Sequence, residues 1–135
     1  MSAMSDYLET NLILHIFRTG SWTKPTDLKV ALYTATPSDS GGGTEVAGGI
    51  GYARVSVPPL DANWNATSGT DGLTKNTAAI TFGSPTGNWG QVTHFGIFDQ
   101  GTNLLFWGAL TTPKTVNNAD PAPVFAANAL TVTLA

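Results

Sequence analysis

The sequence contains no cysteine, which removes disulfides, thiolate nucleophiles and cysteine-ligated zinc or iron–sulfur centres and leaves the fold to packing and hydrogen bonding. Charge is nearly as scarce. Asp, Glu, Lys and Arg make up 11% of 135 residues, under half of the roughly 25% usual for soluble domains. Six cations against nine carboxylates leave a net charge of −3, and Arg18, Lys24, Lys29, Arg54, Lys75 and Lys114 are scattered singly. A phosphate backbone is bound by a clustered positive field, so no nucleic-acid partner is expected. A basic N-terminal segment and a long apolar run are both missing, so neither a cleaved signal peptide nor a membrane partner is expected, and synthesis in a cytoplasm follows. The sequon Asn65-Ala66-Thr67 is then an accident of an Asn- and Thr-rich loop.

Reactive constellations are missing as well. His15 lies on a helical stretch with no ligand four residues on, and His94 lies in a strand between apolar neighbours, so neither marks a metal site. No G-x-S-x-G elbow nominates a serine nucleophile. The runs Gly41-Gly42-Gly43 and Gly48-Gly49-Ile50-Gly51 lack the Lys-Ser/Thr that completes a phosphate loop, and read as glycines taking unusual backbone angles between strands. Asp39, Glu45, Asp61, Asp71, Asp99 and Asp120 read as isolated carboxylates in or beside turns. No catalytic, cofactor-binding or metal-binding residue is nominated, and no enzyme is expected.

What is present is a change of period. Leu8, Leu12 and Ile16 fall four apart, widened by Ile13 and Phe17, with Ser5 placed to cap and Gly20 to stop; this predicts a helix over 5–18 with one buried apolar stripe. From about residue 27 the period becomes two. Strands are predicted over 28–34, 50–57, 78–83, 91–98, 104–110 and 130–134, with 112–116 as a further one. The Asp99-Gln100-Gly101-Thr102-Asn103 run suits a hairpin turn between 91–98 and 104–110. Short strands joined by polar, glycine-bearing loops predict a single domain over 1–135, mainly β: an antiparallel, jelly-roll-like β-sandwich or small barrel with one N-terminal α-helix.

Four tryptophans and six phenylalanines supply the remaining signal. Trp64 lies inside a long polar insert, 61–77, either as a lid over the local core or as an intersubunit anchor. Trp89, beside Asn88 and Gln91, is either core or a sugar platform. Leu12, Ile16, Trp22, Trp64 and Trp89 are the candidate interface residues, and the low charge fits a surface covered by neighbouring subunits as well as it fits an ordinary Thr-, Asn- and Ser-rich one.

The order of segments resembles a family of small tailed-bacteriophage virion proteins, variously labelled tail, tail-fibre or head-surface proteins. The matching stretches are His15-Ile16-Phe17-Arg18, Val30 to Ala35 with Pro37, Thr44-Glu45-Val46 leading to Gly51-Tyr52-Ala53-Arg54, Trp89 to Asp99, and Asn103 to Leu110 followed by Lys114. The departure is Pro121-Ala122-Pro123, which interrupts an expected strand. The resemblance implies a repeated, non-enzymatic virion component whose partners are other virion proteins, the major capsid protein or tail proteins, with homo-oligomerisation expected. The main reading is a capsid decoration or cement subunit on the head, favoured because no repetitive shaft or heptad pattern is present. The alternative is a tail or tail-fibre-associated subunit, and a host-glycan-binding module is the third.

Overall fold

A computed structural model of the chain describes residues 2–67 and 69–134. A short strand, β1 (Ser2–Met4), leads into helix α1 (Asp6–Phe17). Ser5 starts the helix with extended backbone: its Oγ accepts from the Leu8 N–H at 3.2 Å and donates to the Leu104 carbonyl. Asp6 and Glu9 in the first turn complement the positive end of the helix dipole.

Ten strands form in the described residues: after β1 come β2 (Lys29–Ala35), β3 (Thr44–Glu45), β4 (Val55–Ser56), β5 (Leu73–Lys75), β6 (Ile80–Thr81), β7 (Gly90–Phe98), β8 (Leu104–Val116), β9 (Val124–Phe125) and β10 (Thr131–Thr133). A six-stranded antiparallel sheet runs β1-β8-β7-β2-β3, with β4 sharing the outer edge of β2 with β3. Two antiparallel ladders, β5 with β10 and β6 with β9, complete the fold. The architecture is therefore mainly β, a sandwich-type packing of antiparallel sheets with one N-terminal helix, and not a closed barrel.

Alternation along the long strands sets the two faces of the large sheet. Val30 and Leu32 of β2 and Phe95 and Ile97 of β7 point into the main core, where they meet Ile80, Phe82, Leu130 and Val132 from the ladders. Ala31, Tyr33 and Phe98 point the other way and form a smaller cluster with Leu104 and Trp107.

The predicted hairpin is β7–β8. Asp99 closes it: Oδ1 accepts from the Gly101 and Asn103 N–H groups at 2.9 and 3.2 Å, and Oδ2 accepts from the Asn103 amide at 2.8 Å. β8 runs on past Leu110 to Val116, absorbing the separately predicted 112–116 strand. It does so through two irregularities, Leu105 opposite the Ile97–Phe98 step and a wider excursion between Ala109 and Lys114.

Elsewhere the expected boundaries shrink. The 50–57 strand reduces to Val55–Ser56 because Gly51 takes a left-handed conformation, φ +83°, with a Cβ position only 2.0 Å from the Ser84 carbonyl oxygen. The polar 61–77 insert contains β5, and the chain after Pro121-Ala122-Pro123 still pairs, as β9. The helical stripe is the larger correction. Leu8 alone is buried, Leu12 is half-buried, and Ile13 and Ile16 are 55% and 64% exposed. Ser5 and Asp6 hold the first turn through backbone bonds to Leu105 and Asp39, and the helix leaves the sheet before its second half can be covered.

Asn76 ties the ladders to the loop before β10. It is fully buried; its amide nitrogen donates to the Ala78 and Ala126 carbonyls at 2.8 and 2.9 Å, and its Oδ1 accepts from the Leu130 N–H at 2.9 Å. Asn76→Ala leaves these backbone groups unpaired in the interior, and urea unfolding is expected to show a loss of about 3 to 5 kcal/mol. On the helix, Leu8→Ala is expected to cost about 2 to 5 kcal/mol in the same measurement, and Ile16→Ala to stay within about 0.5 kcal/mol.

Candidate functional site

The main core faces the ladders, and the opposite face of the large sheet carries a polar cleft. Tyr33 of β2 stands on that face, directly opposite Glu45 of β3 and His94 of β7. Gly96 makes room for it: a Cβ there would lie 2.9 Å from the Tyr33 ring and 3.3 Å from the Phe98 ring. A side chain at this position would displace both rings.

Because Tyr33 and Glu45 are cross-strand partners, the Glu45 carboxylate projects to the same side. It accepts from the Tyr52 hydroxyl at 2.7 Å and forms a two-pronged ion pair with Arg54, Nε at 2.9 Å and Nη2 at 2.8 Å. The guanidinium lies 3.6 Å above the Phe98 ring centroid. Ion pair and ring together fix the plane of Arg54.

Burial alone would raise the Glu45 carboxyl, but the Arg54 and Tyr52 hydrogen bonds and the Arg54 charge outweigh it and hold the group below its ordinary value of 4.5. Arg54 is raised chiefly by its bonds to Glu45. The Tyr33 and Tyr52 hydroxyls are pushed up, first by burial and then by Glu45, so both stay protonated. Glu45 is thus neither isolated nor in a turn, as its sequence neighbourhood implied, but the centre of a four-residue node.

The node forms one wall of a cleft of about 580 Å³. Tyr33, Phe98 and Arg54 line its inner side; Asp6 and Tyr7 at the start of α1, Asp39 to Gly42, and Asn103 line the rest. The indole N–H of Trp107 donates to Asp39 at 2.9 Å, and the Asp6 N–H donates to the Asp39 carbonyl at 2.9 Å, so turn, helix start and sheet are linked. Gly41 and Gly42, at φ +96° and +80°, take the left-handed angles expected of turn glycines.

The candidate interface residues do not converge. Trp89 is 5% exposed, its indole N–H donating to the Ile50 carbonyl at 2.9 Å and its ring edge-on to Tyr52. It is a core residue, with no face left for a partner or a sugar. Trp64 covers the main core, with its N–H on the Val57 carbonyl at 3.3 Å. Trp22 is half-buried, and its backbone N–H donates to His15 Nδ1 at 3.2 Å, which ties the post-helix chain to α1. Leu12 is half-buried, while Ile16 shares the exposed half of the helix with Ile13 and Phe17, the last 79% exposed. His94 sits beside Trp107 with Nδ1 2.8 Å from the Thr93 hydroxyl, and burial lowers its pKa. Among the described residues no group of three or more His, Asp or Glu is placed to hold a metal ion, and no helix is long and apolar enough to cross a membrane.

Residues 3–133 match the family model for podophage GP4 fiber I protein gp80. The chain belongs to that family. It is a phage virion structural protein, and the fibre description agrees with the tail or fibre reading and not with head decoration. No curated protein sequence matches the chain.

Sequence reasoning missed the Tyr33–Glu45–Tyr52–Arg54 node of this gp80-family chain. The available signal was phase: Ala31 and Tyr33 alternate out of step with Val30 and Leu32, and a second buried face needs its own cover. Tyr52→Phe removes the partner of a buried Leu32 N–H, 3.0 Å away, together with the bond to Glu45, and is expected to cost about 2 to 4 kcal/mol in urea unfolding. With acid, stability carried by the Glu45 carboxylate is present above 4.5 and is lost as pH falls through its lowered folded value. Glu45→Gln is therefore expected to flatten the stability–pH curve below 4.5 and to leave unchanged the earlier decline below 6.5 that His94, lowered by burial, contributes.

Proposed function

We propose that the protein is a non-enzymatic fibre-associated subunit of a podophage virion, joined to another virion protein through the exposed half of α1. The observation that carries the reading is the match of residues 3–133 to a fibre-protein family. The capsid-decoration reading rested on charge and composition, which a fibre subunit shares, and on the lack of a repetitive shaft. That lack excludes a coiled-coil shaft from this segment and says nothing against a small globular component of a fibre.

Geometry supports the attachment face. Ile13, Ile16 and Phe17 are 55%, 64% and 79% exposed on consecutive turns, with Leu14 at 38%. Water is a costly neighbour for these groups, and fully covering each of the large side chains contributes about 1.5 to 3 kcal/mol. The partner that suits them is an apolar groove on a neighbouring fibre or tail protein. Charge contributes little, so attachment is expected to depend weakly on salt.

The non-enzymatic reading draws on the same geometry. His15 Nδ1 is occupied by the Trp22 N–H, His94 Nδ1 faces the Thr93 hydroxyl, and Glu45 is bound to Arg54 and Tyr52.

The test is a double variant, Ile16→Ser with Phe17→Ser, supplied to particles lacking the subunit. Its unfolding free energy is expected to stay within about 1 kcal/mol of the parent, because both side chains are exposed, while its copy number in purified particles drops at least roughly tenfold, the equivalent of about 1.4 kcal/mol. Normal incorporation would remove the helix from the contact. Imaging of parent particles is expected to place the subunit on the tail or its fibres; density on the shell lattice would restore decoration. Sedimentation of the purified chain reads self-association through the same face, the occupant not favoured here.

A further inference from the structure

We propose that the cleft between the start of α1, the Asp39–Gly42 turn and the Arg54–Phe98 stack is a binding site for an uncharged saccharide unit. This goes beyond the structural role. Attachment is assigned to the far half of α1 and sugar binding to the cleft, so the two readings fail in different experiments.

The deciding group is Tyr33. It is 5% exposed and lines the cleft, yet its hydroxyl has no hydrogen-bond partner among the described residues. No side-chain N or O atom among them is both fully buried and unpartnered, so the Tyr33 oxygen is reached by solvent, and the cleft is the space that Tyr33 lines. In the free protein water satisfies that hydroxyl, and a ligand that displaces the water has to replace its bonds. The hydroxyl therefore presents one donor and free acceptor capacity to whatever enters.

Arg54 supplies a second fixed group. Its Nε and Nη2 are engaged by Glu45 and its plane is held over Phe98, which leaves the Nη1 N–H groups in a set direction without a partner among the described residues. The Asp6 carboxylate adds acceptors, and the Asn103 amide oxygen, opposite an NH₂ bound to Asp99, adds another. Donors and acceptors thus both border a space of about 580 Å³, within the range of roughly 300 to 1,000 Å³ typical of small-molecule sites. Vicinal hydroxyls, each both donor and acceptor, suit a lining that offers both.

Other ligand classes fit less well. Asp6 and Asp39 face the space while the Arg54 charge is already compensated by Glu45, so phosphate, sulfate and acidic sugars meet net repulsion. Aliphatic chains find apolar surface at Tyr7, Tyr33, Phe98 and Leu104, but between polar walls. Trp89, the tryptophan whose sequence neighbours look most like a sugar platform, is enclosed in the core.

The experiment is a titration of the ¹⁵N-labelled full chain with methyl glycosides of glucose, galactose and N-acetylglucosamine at millimolar concentrations, followed by amide shifts. Inorganic phosphate and N-acetyl-lysine amide serve as charged probes. At least one glycoside is expected to shift amides of Asp6, Tyr33, Arg54 and Asn103 saturably. Tyr33→Phe keeps the ring and loses no bond in the free protein, so its spectrum should remain that of the folded parent; its affinity for the glycoside is expected to fall roughly tenfold, the loss of about one hydrogen bond. Asp6→Asn, at an exposed position, is expected to weaken binding several-fold. The proposal is overturned if no glycoside shifts these amides, if Tyr33→Phe binds as tightly as the parent, or if phosphate or the lysine amide saturates the cleft where the glycosides do not.

Discussion

The Tyr52 hydroxyl is the interaction on which the two faces of this molecule depend. β4 pairs with the first residues of β2 and β3 with the last, and between them the Leu32 N–H has no strand opposite it. The Tyr52 oxygen accepts that bond at 3.0 Å, and its own O–H donates to Glu45 at 2.7 Å. Its ring stacks with Phe82 and meets Trp89 edge-on. One side chain therefore completes the edge of the large sheet, joins the aromatic part of the main core and orients the carboxylate that holds Arg54 over Phe98. Gly51 is the local condition for this, since only a left-handed residue lets the chain pass Ser84 and deliver Tyr52 to the edge.

From that point the faces diverge in chemistry. The inner face is covered by the two ladders and by Trp64, and the buried Asn76 there has its side-chain bonds made. The outer face is covered only in part, by Trp107, the Asp39 turn and the first turn of α1. What remains there is a polar cleft beside a helix whose second half is apolar and exposed, and low overall charge keeps long-range electrostatics from dominating either surface.

How much of this was legible in the sequence depended on how local the cause was. The β7–β8 hairpin was readable because Asp99, Gly101 and Asn103 make the turn among themselves. The helix was readable in extent, since Ser5 caps it with its own side chain, but not in exposure. Leu12 and Ile16 keep the spacing of a buried stripe whether or not anything lies across from them. Glu45 looked solitary because its partners are Tyr52 and Arg54, brought to it only when β3 and the Gly51 turn are both in place. Trp64, read as lid or anchor, and Trp89, read as core or sugar platform, were left open because burial depends on segments far along the chain: Trp89 packs edge-on to Tyr52 in the core, and Trp64 covers it from outside.

By itself, then, the sequence determined the features whose energy comes from neighbours along the chain: one capped helix, β structure after it, a tight hairpin, the lack of thiol chemistry and of a clustered positive field, and the family resemblance. The tertiary structure alone decided which apolar residues are covered, that Tyr33 and Phe98 form a second buried face over Gly96, and that Glu45, Arg54 and the start of α1 enclose a cleft. The physical reason is that side-chain alternation fixes which residues share a face. What covers that face is fixed by segments distant in sequence, whose arrival depends on the whole chain being folded.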